Sequence, residues 1–383
     1  MKIKEKDFVI TLKTFYGFEE VLSDELKELN YNGIEILNRA VQIRGNWDDV
    51  YFLNLHIRCA ISILVELSSF RINSERDLYN KAKKLNWDEL FTYKRSIAVK
   101  GAVFSDIFKS TQYPMLLVKD AIVDVFRDKY GQRPDVSVSK PEILIDLYIR
   151  NNQVVLSLNT SGAPLFQRGY RTEAGLAPLN EVVAACLLRM SGWDRKTPFL
   201  DPFCGSGTLL VEAALLASGI PSNIERHYYA FKNLLNYDQD LWMSIYEKVN
   251  RNVSKLPCEI IGIDISDSMI IKTRRNLRTF PFARDVKTNI NSFDSISNSE
   301  TPYFVLTNPP YGERMGEEVE ELYAEIGTWL KNKMTGTNFW MISSNMNALK
   351  CIALKHSKKV KVFNGNIECS FRQYEMYSGS KKK

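Results

Sequence analysis

Residues 199–210 read FLDPFCGSGTLL: an apolar strand, a turn holding Gly205 and Gly207, and a helix that begins near Thr208. A strand running through two glycines straight into a helix is the opening unit of a parallel α/β sheet, which commits the second half of the chain to that architecture. In such a sheet a nucleotide-like ligand sits at the carboxyl end of the first strand, where glycines let the backbone approach it closely. The dinucleotide version of this turn needs a third small residue where Leu210 stands, and an acidic ribose partner about twenty residues further on. The next strand-end carboxylate is Asp264, so a nucleoside suits the turn better than a pyrophosphate, and residues 219–258 read as an insertion.

The pattern beyond residue 179 supports this. Helices are predicted at 179–190, from 207, at 267–279 and at 317–332, alternating with strands at Thr197–Leu200, Glu259–Ile265, Tyr303–Thr307 and Asn338–Ser343. KKVKVF and ECSFRQYEMY flank Asn364-Gly365, a strong hairpin signal, so the last two strands should pair antiparallel. GIDIS (262–266) ends a strand with Asp264, which could cap the following helix. Because Asp267 can serve as that cap, Asp264 is left to accept from the ribose hydroxyls of an adenosine. TNPPYGERM (307–315) ends a later strand and faces the same crevice. Residues before proline are extended and proline has no N–H, so Asn308-Pro309-Pro310 is stiff and rich in unpaired acceptors. That arrangement suits an amino group. The Asn308 amide oxygen and the Pro309 carbonyl could each accept one N–H of a nucleobase amine, while Tyr311 stacks on a base turned out of its helix or loop.

The first 165 residues have a different texture. FVITL, the helix at 17–29, a strand near Val41–Arg44, the helix at 48–58 and the alternation Ile61, Ile63, Val65, Leu67 make one small α+β unit. A second unit has a helix near 75–90, a strand at Ile97–Phe104, a helix from Pro114 to a glycine cap at Gly131, and a hairpin turning at Asn151-Asn152. Of the net charge of +6, residues 1–65 carry −2, residues 66–172 carry +5 and the remainder +3, so the basic excess lies in the second unit. Such a balance is compatible with nucleic acid but does not demand it. The six cysteines show no CxxC spacing, which argues against a zinc site, and no metal is expected. No run of about 18 apolar residues occurs, so the chain is expected to be cytoplasmic. Residues 163–181 read as a connector in which Arg168, Tyr170 and Arg171 could hold a phosphate or pack between domains.

LFQRGYR, APLNE, DPFCGSGT, GIDIS and NPPYGER together resemble class I S-adenosylmethionine-dependent methyltransferases of the amino-methylating type, and more closely the bacterial THUMP-domain RNA methyltransferases, whose relatives methylate guanine N2 in large-subunit ribosomal RNA. The likeness covers nearly the whole chain. It implies a ferredoxin-like domain at 1–65, a THUMP RNA-binding domain at 66–165, a connector at 166–180 and a Rossmann-like methyltransferase domain at 181–383, with a seven-stranded sheet closed by an antiparallel hairpin. It also implies S-adenosyl-L-methionine as cofactor. Asp201, Pro202, Cys204, Gly205 and Gly207 would line its methionine end, and Asp264 with Ile265 its ribose. Asn308, Pro309, Pro310 and Tyr311 would hold the target base, and Lys81, Lys83, Lys84, Arg168 and Arg171 are the candidate phosphate contacts. Relatives place an aspartate beside the adenine in a KDF-like sequence; here Ser292 precedes Phe293 and Asp294 follows it, so either residue could take that place.

The expectation is thus an RNA methyltransferase acting on guanine N2, with ribosomal RNA as partner. A transfer RNA guanine-N2 or adenine-N6 enzyme, a DNA adenine methyltransferase and a non-catalytic RNA-binding assembly factor are the alternatives. Two compact N-terminal units favour RNA over DNA.

Overall fold

The computed structural model describes residues 7–171, 179–249, 255–298, 301–311 and 316–377. The N-terminal half runs β1 (Phe8–Lys13), α1 (Glu19–Glu28), β2 (Glu35–Leu37), β3 (Ala40–Gly45), α2 (Trp47–His56), β4 (Ser62–Arg71), α3 (Glu75–Lys83), β5 (Ile97–Phe104), α4 (Tyr113–Tyr130), β6 (Ile143–Arg150) and β7 (Gln153–Asn159). Local chemistry sets these limits. Asn46 and Asp49 form a reciprocal capping box at the start of α2, and Gly131, at φ 65°, ends α4. Asn151, at φ 55°, turns β6 into β7. The helix expected near 75–90 stops at Lys83, and only a short 3₁₀ turn, Trp87–Glu89, follows.

The two N-terminal units share one sheet, ordered β2-β3-β1-β4-β7-β6-β5 and antiparallel apart from β5–β6. β4 belongs to both units. It pairs with β1 through its first half and with β7 along nearly its whole length, with a bulge between Glu66 and Ser68, so the boundary expected at 65/66 falls inside a continuous strand.

The second half comprises α5 (Glu181–Met190), β8 (Phe199–Asp201), α6 (Thr208–Ser218), α7 (Gln239–Glu247), β9 (Ile260–Asp264), α8 (Asp267–Leu277), β10 (Val286–Ile290), β11 (Phe304–Thr307), α9 (Gly316–Lys333), β12 (Asn338–Ser343), α10 (Ala348–Cys351), β13 (Lys358–Asn364) and β14 (Ile367–Glu375). Its sheet is ordered β10-β9-β8-β11-β12-β14-β13, parallel up to β12 and antiparallel through the final hairpin, whose turn contains Gly365 at φ 63°. This is the seven-stranded Rossmann-like outline expected. β10 is an addition: its polar sequence, VKTNI, gives little strand signal because it is a sheet edge with one exposed side.

Neighbouring residues of the central strands point to opposite cores. Phe199, Ile260 and Phe304 join the larger apolar cluster, which continues into the N-terminal half, while Leu200, Ile261 and Val305 join a smaller one beneath α9. Residues 219–258, expected as an insertion, bridge the halves. The Asn223 amide donates to the carbonyls of Asn54 and Ile57 at 3.0 and 3.2 Å, and Arg226 donates to the carbonyls of Ser161, Ala163, Pro164 and Gln167. Among the described residues no helix is long and apolar enough to cross a membrane.

Candidate active site

Three parallel strands, β8, β9 and β11, end on one side of the sheet, beside a cavity of about 670 Å³. Its walls include Asp201, Pro202, Cys204 and Gly205 after β8, Asp264 and Ile265 after β9, and Asn308 and Pro310 after β11. The spacing of DPFCGSGT, GIDIS and TNPPY thus brings distant segments to one crevice, as the topology of an open α/β sheet requires.

The turn after β8 is held from below. Gly205 and Gly207 both have positive φ, 52° and 82°. A Cβ on Gly207 would lie 2.6 Å from Thr273 Cγ2, so this glycine serves close packing of α6 on α8, whereas a Cβ on Gly205 would meet nothing within 4 Å. Gly207 does not line the cavity and acts behind it. Thr273 Oγ1 donates to the Gly205 carbonyl at 2.7 Å, and the Asn276 amide donates to the Ser206 carbonyl at 2.9 Å. Asp264 completes the clamp: its two carboxylate oxygens accept from Gly205 N and Ser266 N, each at 2.9 Å. Each oxygen keeps a second lone-pair site, enough to receive a pair of ribose hydroxyls. Ile265, 79% exposed, and Phe293 give the same cavity an apolar side for a flat ring.

Asp201 is buried at 1% exposure and links two strand ends, since its Oδ1 accepts from Thr307 Oγ1 at 2.7 Å and from Phe203 N at 3.2 Å. Burial pushes its carboxyl up to about 7, against the pull of those donors. Burial also raises the Cys204 thiol, so Cys204 is a neutral apolar wall and no nucleophile.

Among the described residues Asn308 Oδ1 is buried without a hydrogen-bond partner. A buried acceptor left unpaired costs about 1–3 kcal/mol, and the residue that carries this one lines the cavity. Tyr311 is half-buried behind it and accepts a long hydrogen bond, 3.4 Å, from the Asn364 amide at the turn of the final hairpin. Neither Tyr311 nor Pro309 lines the cavity. Gly312, Glu313 and Arg314 lie outside the described residues.

Of the two candidates near the adenine, Ser292 lines the cavity and Asp294 does not; Asp294 is exposed and its carbonyl accepts from Lys333 Nζ. Asn291, overlooked in the sequence, also lines the cavity. It follows β10, whose last residue pairs with Asp264, so the weak signal of that strand concealed it.

The phosphate candidates divide. Arg168 is buried at 1% exposure, and its guanidinium donates to Glu212, to Asn223 and to the carbonyls of Leu165 and Arg58. Arg171 bonds Glu181, Ser206, Thr208 and the Leu179 carbonyl, bracing the turn ahead of α6. Both arginines thus serve as ties of the connector, four of the five guanidinium N–H donors of each being engaged inside the protein. Lys81 donates to the Arg71 carbonyl and Lys83 pairs with Asp128, whereas Lys84 is exposed and has no partner among the described residues.

Residues 168–373 match the family described as RMKL-like, methyltransferase domain; residues 73–159 match the THUMP domain, and residues 10–64 the RlmL ferredoxin-like domain. A ribosomal RNA large subunit methyltransferase K/L from Shewanella frigidimarina is 33% identical over 96% of the chain, and its namesake from Photobacterium profundum is 32% identical over 97%. The chain spans about half the length of these curated relatives, 52% and 53%. Among solved structures, a putative methyltransferase complexed with SAH (S-adenosylhomocysteine) has a TM-score of 0.84 at 25% identity, covering 99% of this chain and all of that one. A protein described as a predicted N6-adenine-specific DNA methylase, from Listeria monocytogenes, has a TM-score of 0.85 at 26% identity, covering 97% of both chains. With three consecutive matches spanning residues 10–373 and relatives a third identical over nearly its whole length, the chain belongs to the THUMP-bearing, RMKL-like methyltransferase family.

Proposed function

We propose that the chain methylates RNA with S-adenosyl-L-methionine, the acceptor being the exocyclic N2 amine of a guanine in large-subunit ribosomal RNA. The observation that carries this reading is the unpaired, buried oxygen of Asn308 on the wall of a cavity whose far side holds Asp264 and the Gly205 turn. The residues fit the cofactor: Asp264 has acceptor sites left for ribose hydroxyls, Ile265 and Phe293 suit an adenine ring, and Asp201, at the end of β8, is the acid assigned to its amino group. Bound there, S-adenosylmethionine would supply an electrophilic methyl group.

An aromatic amine is a weak nucleophile because its lone pair is delocalised into the ring. Asn308 Oδ1, accepting one N–H, fixes the amine's orientation and favours the tetrahedral geometry in which the lone pair is free to attack. Thr307, tied to Asp201, holds Asn308 in register with the donor side of the cavity. Attack would form the N–C bond as the methyl–sulfur bond breaks, leaving S-adenosylhomocysteine; the nitrogen would then be strongly acidic and give its proton to water, so no general base is required. Tyr311, which does not line the cavity and is bonded to Asn364, is assigned to stack on the flipped base as that base enters past the final hairpin. The K/L relatives' name, the THUMP match and the basic second unit support RNA as the partner.

The same acceptor would serve the N6 amine of adenine, and the adenine-specific activity ascribed to the Listeria relative makes this the second reading. Incubation with labelled cofactor and either ribosomal RNA or DNA, followed by nucleoside analysis, separates them: N2-methylguanosine is expected, and methylation of DNA alone overturns the proposal. Asn308→Ala should lower transfer by more than about a hundredfold while leaving S-adenosylhomocysteine affinity within about threefold of the parent.

A further inference from the structure

The turn of the final hairpin touches the N-terminal half at one aromatic pair. Tyr16, in the loop after β1, lies edge-to-face on Phe363 of β13, with ring centroids 6.0 Å apart and planes at 70°. Lys361 Nζ sits over the Phe363 ring, 5.4 Å from its centroid, and pairs with Glu368. Yet Tyr16 is 51% exposed. A half-exposed ring held by one aromatic neighbour leaves part of its surface free for a further contact.

The loop that presents Tyr16 is tightly built. One carboxylate, Glu19, accepts from Gly17 N at 2.7 Å and from Arg39 N at 2.9 Å, tying the tyrosine loop to the turn between β2 and β3. The Arg39 carbonyl in turn accepts from Thr14 N at 2.9 Å. Arg39 has φ 60°, a left-handed conformation that costs a non-glycine residue about 1 kcal/mol or more. Its side chain is exposed and has no carboxylate partner among the described residues. Arg39 thus combines strained backbone with an exposed side chain in the turn that Glu19 ties to the tyrosine loop, and backbone strain of this kind clusters at functional sites.

Next in sequence to Phe363 is Asn364, whose amide reaches the Tyr311 hydroxyl and whose Oδ1 accepts from Asn180 N at 3.3 Å. Leu179, beside Asn180, lines the catalytic cavity. The aromatic pair is thus one residue removed from contacts with the loop assigned to the target base and with the segment that carries Leu179.

We infer that Tyr16, backed by Phe363, is a stacking site for the unpaired RNA base flanking the flipped nucleotide, with Arg39 placed for the phosphate between them. The inference rests on the proposed function. A base extruded for chemistry leaves neighbours that have lost a stacking partner, and an aromatic face beside the pocket restores it without reading sequence. The N-terminal half would then complete the substrate site of the methyltransferase half, in addition to any grip it has on more distant RNA.

Tyr16→Ala should raise the KM for large-subunit ribosomal RNA about tenfold, the scale of one lost base stack, whereas Tyr16→Phe should stay within about twofold. Both variants should bind S-adenosylhomocysteine like the parent. In a separate arm that needs no turnover, a short single-stranded oligouridylate carrying 4-thiouridine, irradiated with the full chain, should crosslink to the peptides bearing Tyr16 or Phe363. An unchanged KM in Tyr16→Ala, or crosslinks that avoid both peptides, overturns the stacking site. Absence of transfer to any RNA by the parent, with crosslinking at Tyr16 retained, overturns the proposed methylation and leaves the RNA contact standing.

Discussion

Asp264 offers the sharpest test of the cofactor side, because its carboxylate has two tasks that a single atom replacement separates. Each oxygen accepts one backbone N–H, from Gly205 and from Ser266. In Asp264→Asn one of these oxygens becomes an NH₂, and whichever way the amide turns, a donor then faces a donor. The free chain loses one charge-assisted backbone bond, a cost of about 1.5–3 kcal/mol. The NH₂ can still donate to a ribose oxygen, but it cannot accept from the hydroxyl that the carboxylate oxygen would have received. One lost bond to a charged group predicts a further loss of about 1.5–3 kcal/mol in ligand binding, or about 10- to 150-fold in Kd. Titration calorimetry with S-adenosylhomocysteine reads the second quantity, and urea unfolding without ligand reads the first. If the variant is destabilised while its Kd stays within twofold of the parent, Asp264 is only a clamp for the glycine turn, and the ribose assignment fails.

Two further perturbations address the frame around the site. Arg168→Met removes one half of a fully buried ion pair and strands Glu212, whose second oxygen already has no partner; unfolding midpoints should fall by the equivalent of about 3–5 kcal/mol, and adding Glu212→Gln should recover part of the loss. A variant of unchanged stability but weakened RNA affinity would instead restore Arg168 as a phosphate contact. Asp201 carries a pH signature. With its carboxyl pushed up to about 7 in the fold and near ~3.9 when unfolded, the folded chain binds more protons than the unfolded one between about pH 4 and 7. Stability attributable to Asp201 is therefore fully present below that window and declines as pH rises through it. Asp201→Asn, which keeps an acceptor for Thr307, should flatten that slope and leave the chain more stable than the parent at pH 8. Parallel pH profiles for the two proteins would show that the buried carboxyl does not titrate as described.

The candidate site was legible to the extent that its residues sit at strand ends. DPFCGSGT, GIDIS and TNPPY each follow a short apolar run, and a parallel sheet leaves little choice about where such ends meet. What the sequence concealed was direction and competition. Arg168 and Arg171 sit beside Tyr170 in a stretch with few apolar residues, which reads as surface; their carboxylate partners Glu212 and Glu181 lie on helices whose composition gives no hint of a buried pair. Asn291 escapes notice because β10 is an edge strand of polar residues, and Gly207 reads as facing the ligand although Thr273 fills its other side. The joining of the two N-terminal units was equally hidden. A strand shared by two units looks, residue by residue, like the last strand of one of them.

The insertion at 219–258 explains why that joining matters for the chemistry. Taken alone it is an aromatic, weakly patterned stretch, yet several of its polar groups are used on the other half of the chain. Asn223 bonds the end of α2, Asp238 N donates to Tyr51 Oη, Leu235 N donates to the Leu90 carbonyl and Phe231 N to that of Thr160. Arg58 answers from the N-terminal side, donating to the carbonyls of Leu215 and Ile220 at the end of α6. These bonds are mostly buried, so breaking any of them on domain movement would leave unpaired groups at a cost of about 1–3 kcal/mol each. The two sheets are accordingly tied by buried bonds and share the larger apolar core, which is continuous between them. Under the proposed function, RNA held by the N-terminal half therefore meets the TNPPY loop at a fixed distance. Such a chain would choose its nucleotide as much by the spacing between grip and pocket as by the identity of the base.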